Sequence, residues 1–298
     1  MLILGIDENG LGPLLGPLVV TAAAFEAEVY DRRSFFASCP SSLRADDSKN
    51  LFSKARLHLA ERETLAWLEA FGIASFDTQS LEQALLVPTP LGLECTGRGV
   101  CSVKATPRTL PCFGDKVHDD REASRLRGIR PVGIKAVRLC PGRYNTAIAS
   151  GLGKLELDFR LMVALASAFA KEHGKPVLAL CGKVGATRSY GPWLSRAGVL
   201  LFSASEETRD RSAYDVAGLG TLVFEKDADS LHLPVAVASM VGKYVREIAI
   251  AELNRVLGRD EGDSVSGYRD PRTKTFVEES QILRDSLGWP QGCFLRRA

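Results

Sequence analysis

Two carboxylates stand side by side at Asp7 and Glu8, directly after an apolar run and directly before a stretch rich in glycine and proline. Residues 2 to 6 and 17 to 24 read as two apolar strands, and the acidic pair falls where the first runs out. Neighbouring residues on a strand point to opposite faces, so two such side chains converge on one metal ion or substrate at a strand end, where the backbone turns. Gly10, Gly12, Pro13, Gly16 and Pro17 supply that turn and allow backbone amides to come close to a ligand. Two readings fit these residues: a polar turn between core strands, or an acidic site cradled by a loop.

The elements that must position such a site are spread along the chain. Ser53 can cap a helix over about 54 to 71, with Leu57, Leu65, Leu68 and Phe71 near one face and Gly72 as its stop. A strand is predicted at 133 to 138, and a helix at about 155 to 172 whose Leu161, Ala164, Leu165, Ala168 and Phe169 face a sheet. Residues 176 to 181 are almost wholly apolar and read as a central strand. Two further strands, at 198 to 203 and 219 to 225, bracket a charged stretch, and a helix stopped by Gly258 closes the series.

Between about 76 and 130 the apolar periodicity fades and prolines and glycines accumulate, which marks an insertion or small lobe. It carries Cys95, Cys101, Cys112 and His118, with Cys140 further on. Three thiolates and an imidazole are the donor set of a structural Zn2+ site. The five- and ten-residue gaps are not the tight pattern of a zinc motif, and free thiols are the other reading. Arg121, Arg125, Arg127, Arg130, Lys135 and Arg138 could follow a nucleic-acid backbone or form an ordinary solvated surface.

With 298 residues, 45% of them hydrophobic and 25% charged, the chain has the composition of a soluble globular protein with a sizeable core. A formal charge of +2 is too small to argue for nucleic acid, so local patches must carry that case. No run of 18 apolar residues occurs, which points away from membrane spanning. Seven scattered cysteines fit a reducing compartment, and the expected location is cytoplasmic.

Asp7-Glu8-Asn9-Gly10-Leu11-Gly12-Pro13, followed by Gly16-Pro17, resembles the opening Asp-Glu-Ala-Gly-Arg-Gly-Pro signature of type 2 ribonuclease H, ribonuclease HII. Asn9 stands at the small-residue position and Leu11 at the arginine. Asp47-Ser48-Lys49 with Leu51 resembles the family's Asp-Ser-Lys-x-Leu element. Lys226-Asp227-Ala228-Asp229, then Ser239, Gly242, Lys243 and Arg246, resembles its Lys-Ala-Asp segment and Ser-x-x-Ala-Lys-x-x-Arg helix. Ser266-Gly267-Tyr268-Arg269-Asp270-Pro271 resembles its Ser-Gly-Tyr element. Where the family ends a strand in a third metal-binding aspartate, this chain has Cys181, a soft donor and a poor partner for Mg2+.

The resemblance implies a ribonuclease H-like α/β fold: a single domain over 1–298 with a five-stranded mixed sheet flanked by helices, the insertion at about 76–130 and a helical C-terminal portion from about 233. It implies Mg2+ or Mn2+ held by Asp7, Glu8 and Asp229, with Asp215 or Asp210 as possible compensation for Cys181. Gly10, Leu11, Gly12, Lys49, Lys183, Ser239, Lys243, Arg246 and Tyr268 are the implied substrate contacts. The implied activity is metal-assisted hydrolysis beside a ribonucleotide in an RNA/DNA hybrid or duplex DNA. The alternative is a catalytically degenerate domain that binds nucleic acid or a protein partner.

Overall fold

The structure is a computed structural model that describes residues 1–40, 43, 45, 52–93, 95, 97–102, 106–114 and 126–297. Lys49, His118, Arg121 and Arg125 lie outside the described residues. The strands are β1 (Leu2–Asn9), β2 (Leu18–Glu26), β3 (Arg130–Leu139), β4 (Val177–Gly182), β5 (Phe202–Glu207), β6 (Arg211–Val216) and β7 (Gly220–Glu225). They form one seven-stranded sheet in the order β3-β2-β1-β4-β7-β6-β5. The expected count of five is therefore exceeded. The charged stretch between the two strands expected at 198 to 203 and 219 to 225 itself folds into an antiparallel hairpin on the sheet edge. Solvated outer strands tolerate charged residues that a central strand does not.

In the centre β1, β4 and β7 run parallel, so their C-terminal ends share one edge of the sheet. That edge is where open α/β sheets bind ligands. The helices are α1 (Arg32–Ala37), α2 (Leu57–Ala70), α3 (Thr78–Leu85), α4 (Pro141–Ala149), α5 (Lys154–His173), α6 (Gly191–Arg196), α7 (Ala228–Leu231), α8 (Leu233–Val256), α9 (Pro271–Glu279) and α10 (Gln281–Ser286). Among the described residues, no helix is long and apolar enough to cross a membrane.

Strand alternation divides the core into two layers. Leu2, Leu4 and Ile6 pack with Leu157, Leu161 and Met162 of α5, whereas Ile3 packs with Leu233, Val237 and Val241 of α8. Gly5 explains how closely α8 lies on β1: a Cβ there would sit 1.9 Å from the Pro234 carbonyl carbon. A third cluster joins Leu15 of the glycine loop to Ile250, Leu253, Phe276, Trp289 and Phe294, so the C-terminal portion closes over the loop. Helix α3 is fixed by a reciprocal cap between Asp77 and Ser80, and Arg138 on β3 pairs with Glu82 of the same helix.

The described part of the basic stretch is largely engaged in ion pairs. Arg130 pairs with Glu26, Lys135 with Glu172 and Arg138 with Glu82. These cations lie on an outer strand and meet carboxylates of this chain in surface ion pairs of small individual strength.

Candidate active site

The acidic pair sits within a strand, a little before the turn. β1 continues to Asn9 and stays paired with β2, with Asp7 opposite Thr21 and Glu8 opposite Val20. On the other side, the pairing with β4 stops at Ile6 opposite Cys181. The two carboxylates therefore project past the end of β4, one to each face, and both reach the open edge. Gly182 makes this possible, since a Cβ there would lie 2.5 Å from Asp7 Oδ1 and 3.5 Å from Glu8 Oε2.

A cleft of about 580 Å3 opens at this edge. Asp7, Glu8, the loop from Asn9 to Pro13, Gly182, Lys183, Asp210, Asp229, Ser239, Lys243 and Tyr268 line it, together with Arg188, Arg209 and Lys226. Gly10, with φ +88°, carries the loop through a left-handed turn directly over Arg246, whose Nε would be 2.7 Å from a Cβ at that position. Arg246 is fully buried, donates to the Ser266 carbonyl at 3.1 Å and lies under the Tyr268 ring at 5.3 Å. It positions the loop and the tyrosine from below, whereas Lys243 and Tyr268 face the cleft.

Asp229 enters from α7, just after Asp227, which adopts the left-handed conformation with φ 53°. Behind this segment Arg32 grips both oxygens of Glu225 at 2.8 and 2.7 Å, and His232 Nε2 meets Glu225 at 2.9 Å. Burial would raise the Glu225 carboxyl, but His232 and Arg32 hold it below its ordinary value. Burial lowers the His232 pKa against the pull of Glu225. Of the two proposed compensating acids, Asp210 lines the cleft. Asp215 does not: it is exposed in the middle of β6 and accepts a hydrogen bond from Thr221 Oγ1 at 2.7 Å.

The carboxylate that sequence reading passed over is Asp158. It lies on α5, is 0% exposed, and neither of its oxygens has a hydrogen-bond partner. Burial, followed by the charge of Asp7, raises its pKa well above the ordinary range. Glu8 is raised by burial, then by Asp158, Asp7 and Asp229, against the pull of its own backbone amide. Four carboxylates thus share one electrostatic neighbourhood at the end of β1. The Cys181 thiol beside them is pushed up by burial and by the charges of Asp158 and Asp7, so it stays protonated. Among the described residues, the group of three potential ligand atoms within 4.8 Å of one another is made of thiols, not of these carboxylates.

The relatives of this chain match it on both sides of that cluster. The family model for ribonuclease HII matches residues 4–79 and 200–286. A ribonuclease HII of Chlorobaculum parvum is 31% identical over 169 residues, spanning 55% of this chain and 71% of that protein. The chain belongs to the ribonuclease HII family. A ribonuclease HII of Gluconobacter oxydans is 33% identical over 172 residues, 55% of this chain and 70% of its own. Bst ribonuclease HIII, solved in complex with Mn2+, shares the fold with a TM-score of 0.53 at 16% identity, across 99% of this chain and 66% of that one. The ribonuclease H2 of Pyrococcus horikoshii OT3 shares it at 0.50 and 18%, across 99% and 92%.

Within the ribonuclease HII frame, the unmatched stretch from 80 to 199 contains both Cys181 and Asp158. Leu11, at the position of the loop arginine, packs against the core layer beneath α5. Asn9 is accommodated by a second change. Its Nδ2 donates to the Ser239 carbonyl at 3.1 Å, and a Cβ on Gly242 would lie 2.7 Å from that same nitrogen and 2.7 Å from Thr21 Oγ1.

Proposed function

We propose that this chain is a divalent-metal-dependent endonuclease that hydrolyses phosphodiesters at ribonucleotides in RNA/DNA hybrids or duplex DNA, with Asp158 serving where the family uses a strand carboxylate. The observation that carries the reading is the pair of Asp158 oxygens, fully buried, without a donor, and next to Asp7 and Glu8. An unpartnered buried carboxylate among like charges is stabilised by a cation or a proton. Asp7, Glu8, Asp158 and Asp229 would hold Mg2+ or Mn2+, both of which take hard oxygen donors, whereas the protonated thiol of Cys181 is unsuited to them. When bound, the ion supplies activation of water and stabilisation of charge on the leaving oxygen.

The remaining residues do the binding and the reading. Lys183, Arg188, Arg209, Lys226 and Lys243 place positive charge around the cleft, which suits successive phosphates. Lys183 Nζ is buried without a hydrogen-bond partner, and burial lowers its pKa while Asp210 opposes that shift. Gly10, Leu11 and Gly12 line the same cleft as Tyr268, a combination suited to a 2′-hydroxyl, the group that separates RNA from DNA. Tyr268 is 43% exposed and is flanked by Lys243 Nζ at 5.9 Å from its ring.

Duplex DNA carrying a single ribonucleotide, incubated with Mg2+ and separately with Mn2+, tests the proposal. The expected result is cleavage beside the ribonucleotide that is lost in Asp7→Asn. Binding of the same duplex without cleavage under either metal would overturn it in favour of a degenerate binding domain.

A further inference from the structure

Three of the seven cysteines meet at one place, away from the carboxylates, and a fourth lies next to them. Cys95 and Cys101 come from the insertion, Cys140 follows β3 and caps α4, and Cys293 lies in the short turn Gln291–Cys293. The Sγ atoms of Cys95 and Cys101 are 3.3 Å apart, those of Cys140 and Cys95 3.5 Å, and all three lie within 4.8 Å of one another. Cys293 lies beside this trio, outside its mutual 4.8 Å: a Cβ on Gly142 would be 3.2 Å from Cys293 Sγ and 3.9 Å from Cys140 Sγ, and Cys293 acts electrostatically on Cys101. Gly99 clears the other side, since a Cβ there would meet Cys293 Cβ at 2.8 Å.

These spacings have a chemical meaning. Sulfurs in a disulfide sit about 2.05 Å apart. Sulfurs at the corners of a tetrahedron around zinc, each about 2.3 Å from the ion, sit roughly 3.8 Å apart. The Gly97 amide points at Cys95 Sγ from 3.4 Å, and the Arg143 amide hydrogen-bonds Cys140, so backbone N–H groups already face the sulfurs. Burial opposes ionisation of Cys95, but the Gly97 amide, the Cys101 and Cys140 thiols and Arg143 bring it below the ordinary thiol value. Cys101 is pushed up to about 12 by burial and by Cys95, Cys140 and Cys293.

We propose that Cys95, Cys101, Cys140 and Cys293 form a tetrathiolate site for one Zn2+ ion. A soft, tetrahedral sulfur set selects zinc over the hard cations that suit the carboxylates. Cys112 and His118 do not belong to it. The Cys112 thiol points to the Thr109 carbonyl at 3.8 Å and its side chain packs against the core under α8, while His118 lies outside the described residues. The ion would tie the insertion to the end of β3 and to the C-terminal segment. That segment is also held by Asn145, which donates to the carbonyls of Gly292 and Leu295 at 2.7 Å each. Three residues beyond Cys293, the Arg296 amide donates to the Leu14 carbonyl at 3.0 Å and its buried guanidinium to the Pro13 carbonyl at 2.5 Å. The site would therefore brace the glycine loop that follows Asp7 and Glu8.

The full chain, purified under reducing conditions without chelator, tests this by elemental analysis. One zinc per chain is expected, retained through gel filtration and released by an organomercurial thiol reagent. Cys95→Ser, Cys101→Ser, Cys140→Ser and Cys293→Ser should each reduce it at least tenfold, while Cys112→Ser and Cys39→Ser keep it. Because a lost ligand can impair folding, the wild-type chain loaded with Co2+ gives a second readout: strong sulfur-to-cobalt charge-transfer and tetrahedral d–d absorption. Reduced protein that takes up neither metal, iron in place of zinc, a Cys95–Cys101 disulfide, or full zinc occupancy in Cys140→Ser or Cys293→Ser would overturn the proposal. None of these outcomes depends on nuclease activity.

Discussion

Asp158→Asn keeps the shape of the side chain and removes its charge, so it isolates what a buried, unpartnered carboxylate contributes. A saturating ligand stabilises a fold by RT ln(1 + [L]/Kd), about 2.7 kcal/mol at a hundredfold excess over Kd. For a chain of 298 residues, the unfolding entropy is about 0.6 kcal/mol per kelvin, so Mn2+ at that excess should raise Tm by roughly 4 °C. If losing one of four carboxylates weakens binding about 100-fold, the same Mn2+ concentration gives the variant about 0.4 kcal/mol, a shift of less than about 1 °C. Without metal the order reverses, and the variant is at least as stable as the wild type, because one like charge has left a desolvated cluster. Thermal melts at pH 8 with Mn2+ and with EDTA read both effects, and titration calorimetry gives Kd directly. Equal Mn2+ shifts in the two proteins would refute the assignment of Asp158 to the metal.

Other expectations rest on the same geometry. Raised carboxyl pKa values at Asp158 and Glu8 bind protons more tightly in the folded chain. The associated stability is fully present below the ordinary carboxylate pKa and is lost as pH rises through the raised values, so EDTA-treated protein should melt progressively lower from about pH 4 upward. Mn2+ should flatten that slope, and a metal-free Tm that climbs with pH across the same interval would contradict the burial of these groups. Cys181→Asp alone should lower the metal-free Tm by adding a further carboxylate beside Asp158. Combined with Asp158→Asn it should recover cleavage to within about tenfold of wild type, and no recovery would show that the helix and strand positions are not interchangeable. Arg296→Met leaves the Pro13 carbonyl without its donor, a loss of about 1–3 kcal/mol. Chemical denaturation should show that loss together with a raised KM; an unchanged KM would detach the C-terminal segment from loop positioning.

The start of the chain was readable because two apolar runs flank residues that no core strand accepts, so the hairpin and its acidic turn follow from pattern alone. The strand boundary was not readable. Whether Asp7 and Glu8 lie in a strand or beyond it depends on where β4 stops pairing, and β4 is far away in sequence. Asp158 left a faint signal. It lies three and four residues before Leu161 and Met162, which places a charge on the buried stripe of α5. Three residues into the helix expected at 155 to 172, it has nothing local to separate it from an ordinary acid near a helix N-terminus. The expected face of that helix was itself rotated, for Ala168 is exposed while Met162 and Ala166 are buried. The cysteine cluster draws on three segments, so spacing favoured Cys112 and gave no hint of Cys293.

Asn9 and Gly242 behave as one substitution written at two addresses. The Asn9 side chain occupies space that a side chain on Gly242 would need, so the loop and the helix share one volume. The order of reversal then matters. Gly242→Ala made first drives a methyl into both Asn9 Nδ2 and Thr21 Oγ1, whereas Asn9→Ala made first removes one of those contacts and leaves Thr21 Oγ1, at 2.7 Å, still to give way. Substitution at the two sites is therefore less disruptive when the residue beside Glu8 changes before the helix does, and the helix step still draws on Thr21.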